Sequence, residues 1–169
     1  MAKNSTKQTN QVWYMLAITR VLLGLIFLWA FIDKWLGLGF ATTAENAWAV
    51  GGSPTTGFLS YGVKPENPFV DFFSSLAGQA WVDWAFMLGL LGIGVALVFG
   101  VAMKLAAVSG GLLLVLMWMA VLPLENNPVV DDHIVYIVVL MAVAMAEPRW
   151  SLNGWWRSRS LVNKYNWLQ

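Results

Sequence analysis

The chain has 169 residues, 59% of them hydrophobic and only 11% charged, with a formal net charge of +1, whereas globular domains in water carry about 25% charged residues. Water is therefore not the solvent for most of its surface, and with no basic patch nucleic acid is excluded as a partner. Cysteine is absent and His133 is the single histidine, which excludes disulfides, thiolate metal sites, cysteine-ligated clusters and a bis-histidine haem held by one copy.

A bilayer core about 30 Å thick needs about 20 apolar residues at about 1.5 Å per residue. The first such run, residues 12–32, holds one charge, Arg20, and predicts a helix over 12–34. It does not read as a signal peptide, because it runs into Asp33-Lys34-Trp35 with no small-residue cleavage site. Residues 35–80 follow as a long loop, rich in Gly, Pro and Thr around 51–57. Within it Asn67-Pro68 opens a short helix near 68–77, whose Phe69, Phe72, Phe73 and Leu76 fit the outer membrane surface. Two further spans, 82–103 and 105–124, are separated by Lys104 and read as a tight hairpin. The fourth apolar run, 134–146, covers only about 13 residues, roughly 20 Å, too short to cross alone. With Asn127 as N-cap and Pro128 as first residue the helix becomes 128–147, which draws Asp131, Asp132 and His133 onto its first turns. Residues 148–169 remain as a tail.

Lys3, Lys7, Arg20, Lys104, Arg149, Arg157, Arg159 and Lys164 fall on one side of these spans. The other side carries Glu45, Glu66, Asp71, Asp83, Glu125, Asp131 and Asp132 against only Lys34 and Lys64. The positive-inside rule makes the first side the cytoplasm. The expectation is an all-α membrane protein in a prokaryotic-type cell membrane. It is a single multi-pass domain, a four-transmembrane-helix bundle with both termini cytoplasmic and a long extracytoplasmic loop between helices 1 and 2. Tryptophans at both ends fit aromatic belts.

Candidate chemistry is sparse. Arg20, Gly24, Phe27, Phe31 and Lys34 share one stripe of the first helix. A charge at the depth of Arg20 must snorkel, pair or face a polar cavity, and Glu147 is the partner expected in a structural clasp. Asp132, His133 and Tyr136 neighbour one another on the fourth helix, where carboxylate, imidazole and phenol suit proton exchange with a quinone or binding of an anion. The competing reading is a helix N-terminus whose dipole favours the two aspartates. Glu125, Asp131, Asp132 and His133 follow no recognised metal-ligand spacing, so no metal is expected. Gly92, Ala96 and Gly100, with Ala107 and Gly111 on the next helix, read as close helix packing and would equally serve a homo-oligomer.

In order along the chain, Arg20-x3-Gly24-x2-Phe27 leading to Asp33-Lys34, then residues 86–94, then Asn126-Asn127-Pro128 and Asp131-Asp132-His133, resemble the DoxX/DoxD family over roughly residues 13–150. The resemblance implies a four-helix membrane bundle and a DoxX-like integral membrane subunit of a quinone-linked redox or respiratory assembly. Such a subunit binds or positions and carries no redox centre of its own. Its cofactors would be none bound covalently, with quinone the one admitted, and its partners the lipid bilayer and other membrane redox subunits. Lys34, Asp132, His133 and Tyr136 are the candidates for quinone or substrate, and Arg20 and Glu147 the structural intramembrane charges. The family's DoxD branch also implies an alternative, a catalytic subunit of a thiosulfate:quinone oxidoreductase, and a purely structural or assembly subunit is the third reading.

Overall fold

The computed structural model describes residues 2–146 and 148–168, with side chains from residue 10 onward except that of Asn166. Among the described residues all regular structure is helical. Helix α1 spans Ala2–Leu36 and so begins well before residue 12, because the polar leader contains neither glycine nor proline to stop it. The loop that follows carries short 3₁₀ turns at Ala44–Asn46 and Trp48–Val50, a π turn at Phe58–Gly62 and helix α2, Val70–Leu76. Then come α3, Ala80–Phe99, α4, Met103–Ala120, and α5, Asp132–Met145. The tail folds into α6, Asn153–Arg157, α7, Ser160–Lys164, and a 3₁₀ turn at Asn166–Leu168.

Three helices are long and apolar enough to cross a membrane, Asn10–Leu36 within α1, Ala80–Phe99 and Met103–Ala120, while α5 is shorter. Helix α1 packs on α3 and α5, and α4 packs on the same two. Their shared core holds Leu23, Phe27 and Phe31 of α1, Met87, Leu90, Ile93 and Leu97 of α3, Leu114 of α4, and Leu140 and Val143 of α5. The outward faces are apolar as well, with Leu22, Leu25 and Ile26, Leu88, Val108 and Leu112, Val138 and Met141 all exposed. An apolar exterior around a core this small is the profile of a membrane protein, since large apolar surfaces are not left facing water.

The α3–α4 turn lies at 100–102, not at Lys104. Gly100 takes the left-handed conformation (φ 65°) that ends a helix, and its N–H and that of Val101 both reach Ala96 O. Lys104 falls in the first turn of α4. The fourth helix starts at Asp132 rather than 128, because Asn127 Oδ1 accepts from Val129 N and Val130 N, both at 2.9 Å, closing a turn around Pro128. The true N-cap is Asp131, extended in backbone, whose Oδ1 accepts from Ile134 N at 3.3 Å. Fourteen residues remain, about 21 Å of helix.

The close packing also uses other glycines than the predicted stripe. A Cβ on Gly24 would meet Leu97, Val98 and the Val98 backbone N at 2.9 Å, and one on Gly94 would meet Leu28 at 2.7 Å, so these two bring α1 against α3. Gly92 and Gly111 have open space in front of them, and Gly100 belongs to the turn. Helix α2 is not free to lie wholly on a membrane, because Phe73 is buried with Leu59, Val63 and Ala120, and Leu76 packs on that cluster.

Buried polar groups fix the long loop to one end of the helices. Asp33 accepts from Phe40 N and Ala41 N at 3.2 and 2.9 Å. Asp83, in the first turn of α3, accepts from Ser53 Oγ, Thr55 N and Thr55 Oγ1 at 2.9, 3.2 and 2.6 Å. Asn67 Nδ2 donates to Met119 O and Ala120 O at 2.9 and 3.0 Å, so the loop supplies the donors that the last turn of α4 lacks.

Candidate functional site at the loop end

The stretch between α4 and α5 is not helical, and this opens a pocket. Trp118 Nε1 donates to Val129 O at 3.1 Å and Lys64 Nζ to Pro123 O at 3.1 Å and Glu125 Oε1 at 3.2 Å, which ties the stretch to the end of α4 and to the long loop. The cavity left has a volume of about 480 Å³ and is lined by Lys64, Glu125, Asn127, Asp131, Asp132 and His133 among others, within the range of small-molecule sites, roughly 300–1,000 Å³.

Asp131 organises it. One carboxylate oxygen caps α5 and the other lies 2.7 Å from His133 Nδ1. An ionised carboxylate only accepts, so Nδ1 carries the proton and Nε2 is left as the imidazole's basic nitrogen. Nε2 has no hydrogen-bond partner among the described residues. Burial pushes the Asp131 carboxyl up, but the hydrogen bonds from His133 and Ile134 and attraction to the imidazole outweigh it and hold the group below the usual carboxylate range. Asp132 is mostly exposed, its Oδ1 3.7 Å from the same ring nitrogen.

The lining carries three carboxylates, Glu125, Asp131 and Asp132, against one ammonium, Lys64, which already faces Glu125. Coulomb attraction thus favours a neutral or cationic occupant over an anion. The donor atoms of Asp131, Asp132 and His133 lie within 4.8 Å of one another, nearer than the sequence spacing suggested. Asp131, however, already accepts with both oxygens, so a cation there would share a carboxylate that also caps the helix and holds the histidine.

The other predicted residues lie elsewhere. Tyr136 packs against the helix core and does not line the cavity. Lys34, beside Asp33 at the end of α1, does not line it either. Asp132 and His133 alone of the four quinone or substrate candidates are brought together. Glu147, the partner expected for Arg20, lies outside the described residues.

Arg20 is held by backbone carbonyls. It is 5% exposed, and its guanidinium donates to four carbonyls: Leu97 O (2.6 Å), Val98 O (3.4 Å), Arg149 O (3.2 Å) and Trp150 O (2.9 Å). Leu97 and Val98 belong to the last turn of α3, where carbonyls lack helical donors and the dipole is negative. Arg20 therefore sits level with the end of α3 and ties the tail to it.

Lys64, Asn67, Asp83 and the capping role of Asp131 escape a reading by spacing. Asn67-Pro68 is visible as a helix start, yet nothing local says that its amide closes the end of α4. The Ser53-x-Thr55 hydroxyls were likewise visible only as loop composition. No family model, no curated protein and no solved structure matches the chain.

Proposed function

We propose that the chain is a DoxX-like integral membrane subunit of a quinone-linked redox or respiratory assembly, which binds and positions a quinone headgroup while electrons arrive from another subunit. The Asp131–His133 pair in a cavity of about 480 Å³ beside apolar helices supports this reading most directly. Reduction of a quinone to its quinol takes up two protons with two electrons, and an imidazole whose Nδ1 is held by a carboxylate offers Nε2 as the proton-exchanging atom. A quinone headgroup is neutral and suits a lining with excess negative charge. Thiosulfate does not, which weakens the catalytic thiosulfate:quinone alternative. The ordered residues from Arg20 to Asp131-Asp132-His133 that resemble DoxX/DoxD proteins add to this reading, and the same proposal gives the chain four spanning helices with both termini cytoplasmic.

Mild-detergent extraction from the native membrane, followed by mass spectrometry of co-purified subunits and lipid-soluble molecules, tests it. The expected result is a stoichiometric quinone or a partner subunit, with quinone retention reduced about tenfold in His133→Ala, the size of one lost hydrogen bond to a polar group. Purification of the unaltered chain with neither, or unchanged retention in His133→Ala, overturns the assignment. A structural or assembly subunit is the second reading. Arg20, Asp33, Asn67 and Asp83 favour it, because each already has its partners within the chain.

A further inference from the structure

The tail runs beneath the helices as a belt. It starts at α1, where Arg149 Nη2 donates to Asn10 Oδ1 at 3.3 Å and Trp150 lies 5.4 Å from the ring of Tyr14. It passes the end of α3, where Leu152 N donates to Phe99 O at 2.8 Å, and finishes with its last 3₁₀ turn against α4. Val162 is buried and Trp156 Nε1 donates to Leu168 O, so the belt is folded on itself.

Depth, charge and exposed surface all point the same way. Phe99 is the last residue of a 20-residue apolar helix, so a segment hydrogen-bonded to it lies where the hydrocarbon ends and headgroups begin. Residues 148–169 contain Arg149, Arg157, Arg159 and Lys164 and no aspartate or glutamate. Between the cations stand exposed apolar groups: Trp155 at 55%, Leu161 at 67% and Trp167 at 57%. Indoles interleaved with cations at that depth fit the headgroup layer, whose upper part is anionic and whose lower part is hydrocarbon. The Arg159 guanidinium lies 4.1 Å from the centre of the Trp155 ring, and a guanidinium stacked on a ring keeps its N–H edges free for the forked acceptor of a phosphate. An acidic soluble protein would match the charge but would leave the tryptophans and Leu161 unaccounted for.

We infer that residues 149–168 form a binding surface for the phosphodiester headgroups of anionic phospholipids in the chain's own bilayer. The site is independent of whatever occupies the loop-end pocket.

The absence of cysteine makes the test direct. A single Ser160→Cys, labelled with an environment-sensitive fluorophore, reports on the belt in the full-length chain reconstituted into vesicles of phosphatidylcholine with phosphatidylglycerol. Bromine is carried on one lipid or the other. The expected result is stronger quenching by brominated phosphatidylglycerol than by brominated phosphatidylcholine at equal mole fraction. Replacing Arg157, Arg159 and Lys164 together by Gln lowers that preference about a hundredfold, since each cation near an anionic surface contributes about fivefold. Arg159→Gln alone, which leaves the other cations, lowers it about fivefold. Equal quenching by the two lipids in the unaltered tail overturns the inference without recourse to any variant. Absence of quenching by either lipid overturns it as well and leaves a soluble acidic partner as the occupant, and so does a preference that survives the triple substitution.

Discussion

Asp131 caps a helix with one oxygen and holds an imidazole with the other, and its negative charge strengthens both bonds. Its carboxyl is held below the ordinary range in the folded chain, so the stability it contributes is full above the unfolded value, about 3.9. That stability is lost as pH falls through the lower, folded value. The start of α5 should thus stay intact from neutral pH to about pH 4 and loosen below it. In Asp131→Asn the cap persists but the charge-assisted bond does not, at a cost of about 1–2 kcal/mol at neutral pH. Hydrogen exchange at the Ile134 amide, compared between the two proteins across acid pH, checks this: the difference should shrink as pH falls, and superimposable curves would refute it. Arg20 shows the same economy of groups, since a single guanidinium serves the end of α3 and the first residues of the tail together.

Between elements, the contact that decides packing is α1 against α3. Gly24→Ala puts a methyl 2.9 Å from the Val98 backbone nitrogen, which cannot swing aside as a side chain can. The helices must separate, at about 1–3 kcal/mol. Gly92→Ala meets open space and serves as the control, neutral or slightly stabilising. Thermal unfolding in detergent should therefore separate two glycine substitutions that a small-residue stripe treats alike; equal midpoints would mean that α1 and α3 are not held by this contact. The sequence made the long apolar runs legible because a bilayer selects residues by a simple rule, and charge-free length reports it. It made helix ends less legible, because the groups that close them come from far along the chain: Arg20 for α3, Asn67 for α4. At the candidate site, Asp132 and His133 could be named from their neighbourhood. Lys64, nearly seventy residues earlier, could not, because a loop fold brought it there.

For the molecule as a whole, the long loop gathers at one end and the tail at the other, joined to opposite ends of α3 through Asp83 and Phe99. Single cysteines at Tyr61, which is 90% exposed on the loop, and at Ser160 on the tail should accordingly react with a membrane-impermeant maleimide from opposite faces of the cell membrane. Labelling of both in intact cells would exclude the spanning arrangement. The brevity of α5 has a consequence for the lipid itself. On the proposed four-span reading, a helix of about 21 Å beside one of about 30 Å in α3 would call for a thinner adjoining leaflet, at a fraction of a kcal/mol per Å of mismatch. That side of the molecule would then be an elastic seam in the bilayer: headgroups would dip toward the loop-end cavity, and a neighbour that also presents a short helix would relieve the deformation by settling against it.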